Sequence, residues 1–415
     1  MKHFAIDIGS TVVKVAQINA TGELLIQNFF PRDFEAGIGR QLDSILESLG
    51  LHADSHDISV CSSANGGLRV GIVCLSKHYS GSSFRNQALL AGANPSFVYD
   101  MDEPGGDTRR VDILLVGGGI DCVEATPLVD RLLRFDPSGY KYDALVYAGN
   151  KYAAEIFCKR FPDAKVVANP LGETLSNRVG SVFEAIRRAY LDDLVHKEGI
   201  SQLSGRLAHG VRPTPEVVSR GFLRAVQNKS TFDVVGACLV LDIGGATTDL
   251  HFTVEIVRED SSCQPTSGIS VARYVFADLG TVASRDTLLL QLRTHPRLYE
   301  LLSTLFTDNV RDTYGMMREG EYEPSPELLA YACLFLALDR FSTGRGPGLP
   351  TADLGKIAQI ILTGGAAQAM HEETVTRVVK VLLADGGADP LVQIDRRYQL
   401  WVDGISWAAD APISS

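Results

Sequence analysis

Two loops of similar composition, far apart in the chain, carry residue types that suit a polyphosphate. Each follows an apolar segment and begins with Asp-Ile-Gly, at residues 7–9 and again at 242–244. Glycine lets backbone N–H groups approach an anion without an obstructing side chain, and hydroxyl groups add further donors. The residues that we expect to bind phosphate are Gly9, Ser10, Thr11 and Lys14 in the first loop and Gly244, Gly245, Ala246, Thr247 and Thr248 in the second.

The acidic residues of these loops need a cation beside them, because carboxylates repel phosphates. Asp7 and Asp242 end the two apolar segments, and paired carboxylates suit Mg²⁺, which keeps several waters and takes few protein ligands. We therefore predict a Mg²⁺ site at Asp7 and Asp242. Asp249 is predicted to orient a water or an acceptor hydroxyl for attack on the γ-phosphate, and we assign Asp7 and Asp249 to catalysis.

A third motif lies near the end of the chain, where Ile360-Ile361-Leu362-Thr363 runs into Gly364-Gly365-Ala366. Two glycines after a buried strand allow a flat base and ribose to lie close to the backbone. Gly364, Gly365 and Ala366 are therefore predicted to bind the nucleoside. The order of the three motifs predicts one shared nucleotide site.

The segments around these motifs predict a mixed α/β protein. Residues 3–8 and 11–18 have strand character, and another buried strand, 237–242, leads into the second loop as the first strand leads into the first. This recurrence indicates two similarly built halves that face each other. Between them, residues 97–170 alternate strands with helices, which is typical of parallel strands with crossover helices, and residues 171–235 are rich in helix. The polar, turn-rich segment 100–110 is the best candidate for a linker.

Composition narrows the class of protein. The 415 residues exceed what one core usually organises, and the net charge of −11 disfavours a nucleic-acid binder. The seven cysteines show no CxxC or zinc-like spacing, and no apolar run reaches membrane-spanning length. These features favour a reducing, cytoplasmic location without a membrane partner.

The three motifs resemble the phosphate-one, phosphate-two and adenosine motifs of the actin, hexokinase and Hsp70 superfamily. Within it, LDIGGATTDLH, CSSANGGLRVG, VDILLVGGGID and LVYAGNK resemble the glutamate mutase accessory proteins of the MutL or GlmL type. The resemblance implies two ribonuclease H-like actin-type domains that close over ATP and Mg²⁺. The absence of a cysteine cluster disfavours the related iron–sulfur activators of dehydratases.

With this resemblance the chain divides into residues 1–96 for the first part of domain I, 97–170 for an inserted Rossmann-like unit, 171–235 for a helical connection, and 236–415 for domain II with a return to domain I. The implied function is an ATP-dependent accessory protein or reactivating chaperone for a cobalamin-dependent mutase. The sequence is compatible with a dimer of this chain. The alternative is a small-molecule kinase or ATP-dependent ligase-type subunit with Asp249 as the base. A module that binds the nucleotide without hydrolysis also stays open.

Two further glycine-rich segments have structural interpretations. Residues 116–121, Val-Gly-Gly-Gly-Ile-Asp, follow a strand, but Cys122 stands where a dinucleotide fingerprint needs glycine, so we interpret them as a close strand-to-helix turn. Residues 62–67 are interpreted as a plain hairpin connection.

Overall fold

The computed structural model describes most of residues 3–406. Outside the described residues lie 10, 20, 21, 34, 52–56, 64–67, 92, 104–106, 122–125, most of 172–210, 231, 262–269, most of 296–323, 347, 348, 384–388 and both chain ends. The predicted phosphate ligand Ser10 therefore lies outside the described part of the chain.

The strands are numbered in chain order. They are β1 (His3–Ile8), β2 (Val12–Ile18), β3 (Leu24–Pro31), β4 (Asp57–Ser62), β5 (Arg69–Cys74), β6 (Asn94–Asp100), β7 (Asp107–Gly117), β8 (Tyr140–Tyr147), β9 (Lys165–Val166), β10 (Val211–Pro213), β11 (Cys238–Ile243), β12 (Thr248–Thr253), β13 (Val271–Phe276), β14 (Gln359–Thr363) and β15 (Leu391–Ile394).

The α-helices are numbered in the same way. They are α1 (Ile38–Ser48), α2 (Ser82–Leu90), α3 (Thr126–Arg134), α4 (Lys151–Arg160), α5 (Thr214–Val226), α6 (Arg285–Thr294), α7 (Pro326–Thr343), α8 (Glu372–Leu382) and α9 (Gln399–Ser406).

Two of the sheets have the same topology. The first has the strand order β3, β2, β1, β4, β10, and the second has the order β13, β12, β11, β14, β15. In each sheet the first three strands along the chain form an antiparallel meander, and the next two lie parallel to the first strand. The repeated order agrees with the prediction of two similarly built halves and with the ribonuclease H-like fold class.

The third sheet is parallel throughout, with the strand order β6, β5, β7, β8, β9. It contains β5 and β6, whereas the boundary predicted at residue 97 places β5 in the first unit and divides β6 between the two units. The extent of the inserted unit otherwise stays a prediction. Ile6 of the first sheet, Ile72 of the third sheet and Phe84 of α2 belong to one buried apolar cluster, so these two sheets share a core.

Two connections differ from the predictions. The strands β4 and β5 on either side of residues 62–67 do not form the predicted hairpin, because β4 belongs to the first sheet and β5 to the third. Residues 64–67 themselves lie outside the described part of the chain. Residues 100–110 do not link two units, because β6 ends at Asp100 and β7 begins at Asp107 within the same sheet. Within this segment, Arg109 donates a hydrogen bond to the Asp107 carboxylate, and Tyr99 of β6 donates to the same carboxylate.

Helices α5 and α9 cross at very close range. A Cβ on Gly221 would lie 1.8 Å from the carbonyl oxygen of Leu400, and one on Gly404 would lie 1.8 Å from that of Val217. Only glycine allows the two backbones to approach this closely. The crossing sets α5, which begins at Thr214, beside the ends of β1 and β4.

Candidate functional site

The two Asp-Ile-Gly segments form the same kind of hairpin loop. The Gly9 N–H donates to the Val12 carbonyl at 3.0 Å, and the Gly244 N–H donates to the Thr247 carbonyl at 2.9 Å. A Cβ on Gly9 would lie 2.7 Å from the Val12 oxygen, so this turn requires glycine. The predicted pair of equivalent loops is therefore present in the structure.

The second loop turns its carbonyl groups toward one neighbouring segment. The N–H of Thr281 donates to the Gly244 carbonyl at 3.2 Å, and the N–H of Val282 donates to the Gly245 carbonyl at 2.7 Å. The Ser284 hydroxyl donates to the Ala246 carbonyl at 2.6 Å. The N–H groups of residues 245–247 donate to none of the described residues. Successive free donors beside fixed carbonyls form an anion-binding concavity.

The first loop is held in a corresponding way by Arg32, which follows β3. Its backbone N–H donates to the Thr11 carbonyl at 2.9 Å, and its guanidinium donates to the Gly9 carbonyl at 2.8 Å. In both halves, the segment after the third strand of the meander therefore fixes the loop carbonyls. Arg32 was not predicted as a site residue.

Asp7 is buried, and both of its carboxylate oxygens have partners. Lys14, which lies opposite Asp7 in the hairpin, approaches Oδ2 at 2.6 Å, and the Thr214 hydroxyl donates to Oδ1 at 2.6 Å. The Cys61 thiol also lies 3.4 Å from Oδ1. The positive charge that we expected from a metal beside Asp7 is thus supplied by Lys14.

Lys14 is enclosed by protein rather than directed into open solvent. Its Nζ lies 4.4 Å from the centre of the Tyr398 ring, a cation–π distance. Burial disfavours its charged form, but the charges of Asp7, Tyr398 and Asp242 outweigh burial and raise the pKa of Lys14. Because Asp242 belongs to the other half, this interaction indicates that Lys14 lies near the second loop.

Asp242 contrasts with Asp7. None of the described residues donates a hydrogen bond to its carboxylate, and part of its side chain remains open to solvent. Burial raises the pKa of Asp242 to about 7, with the like charge of Asp249 as the next cause. Asp249 lies directly opposite it in the hairpin. An unpaired carboxylate beside another carboxylate fits a divalent cation, which would favour its ionised form.

Asp242 is the carboxylate of this site that has room for a metal ion. Among the described residues, no group of three or more His, Cys, Asp and Glu side chains could hold a metal ion. Mg²⁺ is compatible with fewer protein ligands, because waters and phosphate oxygens complete its coordination. Asp242 therefore fits the ion as a ligand, whereas Asp7 is engaged by Lys14 and Thr214.

Asp249 is buried, and both of its oxygens are engaged. Arg273 of β13 donates to Oδ1 from Nε at 3.0 Å, and the Thr247 hydroxyl donates to Oδ2 at 3.2 Å. Oδ1 is thus taken by Arg273, and a water or an acceptor hydroxyl would have to share Oδ2 with Thr247. The Thr248 hydroxyl, predicted as a phosphate donor, is fully buried and donates to the Leu279 carbonyl at 2.7 Å.

The third motif reaches the second loop, as predicted. Gly364 has a φ of +90°, and a Cβ on it would lie 2.3 Å from Oδ1 of Asp242. Gly365 has no neighbour within 4 Å of its Cβ position, and Ala366 begins a short 3-10 helix. Gly364 therefore fits closely against Asp242, while Gly365 borders open space.

Several site residues had no local sequence signal. They are Arg32, Cys61, Thr214, Arg273, Tyr398 and Trp401, whose indole N–H donates to the Cys61 sulfur at 3.0 Å. Lys14 was predicted as a phosphate ligand. Its pairing with Asp7 follows from a spacing of seven residues across a four-residue loop, which places the two opposite each other.

The comparisons with known proteins identify the family. The model of the family described as "MutL protein" matches residues 3–405. This protein belongs to the MutL family. Protein MutL of Clostridium tetanomorphum is 26% identical over 264 residues, which cover 60% of this chain and 57% of the relative. The match thus extends over little more than half of the relative's length.

Solved structures of similar fold include the activator of the 2-hydroxyisocaproyl-CoA dehydratase from Clostridium difficile with bound ADPNP, at 10% identity and a TM-score of 0.35 over 100% of both chains. Component A of the (R)-2-hydroxyglutaryl-CoA dehydratase from Acidaminococcus fermentans is 8% identical, with a TM-score of 0.37 over 99% of this chain and 100% of that one. These scores carry no functional argument for the MutL-family chain. No described helix is long and apolar enough to cross a membrane.

Proposed function

We propose that this MutL-family protein binds ATP with Mg²⁺ between its two hairpin loops and acts as an accessory or reactivating protein for a cobalamin-dependent mutase such as glutamate mutase. The observation that supports nucleotide binding best is the second loop. Its carbonyls are fixed by residues 281–284, its N–H groups at 245–247 have no described acceptor, and Asp242 stands unpaired beside them.

The first loop faces this arrangement from the other half of the protein. Its Lys14 interacts electrostatically with both Asp7 and Asp242, so one positive charge already lies between the two loops. A triphosphate would add negative charge close to Lys14 and to the free N–H groups of the second loop. Both features favour an anion at this place.

The metal would bind Asp242, with waters and phosphate oxygens as the remaining ligands. When bound, it neutralises charge on the phosphates. Asp7 holds Lys14 in place rather than the metal. Gly364 and Gly365 would border the nucleoside, since Gly364 contacts Asp242 and Gly365 faces open space.

The proposed partner follows from the family. A slow ATPase that changes conformation on hydrolysis would alter how its surface binds an enzyme.

The cysteines among the described residues are free, which supports a reducing, cytoplasmic location.

The kinase or ligase alternative is weakened by Asp249. A transfer reaction needs a base within reach of the acceptor hydroxyl, and Asp249 was the residue assigned to that role. Its two oxygens are instead engaged by Arg273 and Thr247. Asp249 is better explained as a residue that shapes the second loop.

The test is phosphate release from ATP by the purified protein, alone and with an inactivated cobalamin-dependent glutamate mutase. We expect slow release that increases with the mutase, together with recovery of mutase activity. The Asp242→Asn variant should lose both, while Asp260→Asn, at an exposed pair with Arg258, should keep both. Phosphorylation of a small acceptor without any effect on the mutase would contradict the proposal.

A further inference from the structure

We propose that Arg273 links the second phosphate loop to helix α2, so that nucleotide binding changes the packing of α2 and of the sheet edge at which it begins. This inference rests on the proposed nucleotide site. Arg273 is a positioning residue here, because it contacts Asp249 and not the nucleotide.

The Arg273 side chain is buried and bridges two parts of the molecule. Its Nε donates to the Asp249 carboxylate at 3.0 Å, and a terminal nitrogen makes a further contact with the same oxygen. The other terminal nitrogen donates at 2.5 Å to the carbonyl oxygen of Leu89, in the last turn of α2. A single guanidinium thus joins the hairpin that carries Asp242 to α2, the helix that connects β5 to β6 of the third sheet.

Both contacts are electrostatically favourable. The carbonyl groups in the last turn of a helix accept no hydrogen bond from a later turn. They form the negative end of the helix, which attracts a cation. Asp249 supplies the opposite charge. Burial and the Arg273 charge both lower the pKa of His251, which lies opposite Arg273 in the sheet and is therefore neutral. Arg273 accordingly supplies the positive charge that Asp249 meets at this point.

The strength of the two Arg273 contacts depends on the charge next to Asp249. Asp249 lies opposite Asp242 in the hairpin, so two carboxylates stand side by side and repel each other when both are ionised. A Mg²⁺ ion at Asp242 would offset this repulsion and change how strongly Asp249 attracts Arg273. Because the same guanidinium also holds the Leu89 carbonyl, the position of α2 depends on the state of the loop.

The other end of α2 reaches the carboxyl edge of the third sheet. The turn Lys77–Gly81 precedes α2, and Ser80 in this turn is close to Gly118, since a Cβ on Gly118 would lie 2.7 Å from the Ser80 hydroxyl. The chain passes from β5 to β6 on one side of the sheet and then continues with β7 on the other side of β5. This part of the edge is therefore the point at which the strand order reverses. Doubly wound sheets bind ligands at this point. A change in α2 would therefore reach an edge suited to recognition.

Hydrogen–deuterium exchange of the full-length protein, with and without Mg²⁺ and ATP, tests the link. The exchange rate of residues 76–90 should change when nucleotide is bound. In the Arg273→Lys variant, one ammonium replaces the planar fork and cannot serve both Asp249 and Leu89. We expect this variant to lose the response of residues 76–90 at an ATP concentration that saturates it, as a calorimetric titration of the same variant establishes.

The matched control is Arg340→Lys. Arg340 also makes a two-pronged pair, with Asp278 at 2.9 and 2.8 Å in the same half, but none of its described hydrogen bonds reaches α2. This variant should keep the response. Thermal unfolding of each variant shows whether it is folded, and the wild-type comparison does not depend on any variant.

The outcomes are distinguishable. A wild-type protein that binds ATP in a separate calorimetric titration, yet shows no change at residues 76–90, overturns this inference alone. Retention of the full response in Arg273→Lys overturns it as well. A wild-type protein that binds no ATP overturns the proposed function and this inference with it.

Discussion

The two hairpin loops have the same backbone but opposite electrostatics. In both, an aspartate at the end of a buried strand lies opposite the residue seven positions later. That residue is Lys14 in the first loop and Asp249 in the second. Asp7 is therefore neutralised within the protein, whereas Asp242 faces a like charge and has no described hydrogen-bond donor. The carboxylate of the first loop is thus paired within the protein, and that of the second loop is available to the proposed cation.

This difference teaches that equivalent motifs need not have equivalent roles. The Asp-Ile-Gly turn fixes the backbone of both loops, and the residue across the hairpin decides whether the carboxylate is structural or available. Arg273 adds to the contrast, because it engages Asp249 and leaves Asp242 exposed to the charges of the site.

The largest expected effect comes from breaking the pair in the first loop. Lys14→Met removes the cation from the buried Asp7 carboxylate and should lower the free energy of unfolding by about 3–5 kcal/mol, because an uncompensated charge is left in the interior. Chemical denaturation measures this loss. The double variant Asp7→Asn with Lys14→Met should recover most of it, and a single variant as stable as the wild type would show that the pair does not form.

A smaller effect is expected where the third motif meets the second loop. Gly364→Ala places a Cβ at a φ of +90° and 2.3 Å from the Asp242 carboxylate. We expect a loss of about 1–3 kcal/mol in stability and a clear loss of ATP affinity, measured by denaturation and calorimetry. Gly365→Ala is the matched control, since its Cβ position is open. Equal effects of the two substitutions would contradict the placement of Gly364 against Asp242.

The last effect concerns the pH dependence of stability. The pKa of Asp242 is raised to about 7, above its ordinary value near 4. Its contribution to stability is therefore complete below about pH 4 and is lost as the pH rises through 7. The asparagine of Asp242→Asn cannot ionise. The temperature of its first unfolding transition should therefore equal that of the wild type in acid and lie above it when the pH exceeds 7. A constant difference across the range would show that Asp242 is not perturbed.

Much of the fold was predictable because its signals are local. The recurrence of an apolar strand before Asp-Ile-Gly indicated the two halves, and β1, β2, β11 and β14 lie close to their predicted positions. Sheet membership was not local. Whether β5 pairs with β4 or enters another sheet depends on long-range packing, so residues 62–67 were interpreted as a hairpin and residue 97 as a boundary.

The site residues likewise fall into those with a local sequence signal and those that only long-range packing places. Gly9, Gly244 and Gly364 were recognisable because each follows an apolar strand directly, and at Gly9 and Gly364 the structure leaves no room for a Cβ. Thr214 reaches Asp7 across 207 positions of the sequence, and Arg273 reaches Asp249 from another strand, so neither had a signal beside the motif. Thr248 was assigned to phosphate by its type, but strand alternation directs its hydroxyl into the interior.

The most direct test of the different roles of the two aspartates is a calorimetric titration of ATP with and without Mg²⁺. Wild-type protein should bind ATP more tightly with Mg²⁺, and Asp242→Asn should abolish that gain while keeping weak, metal-independent binding through the loop N–H groups and Lys14. A wild-type protein whose ATP affinity does not depend on Mg²⁺, or an Asp242→Asn variant that keeps the full gain, would contradict the assignment of Asp242 as the metal ligand.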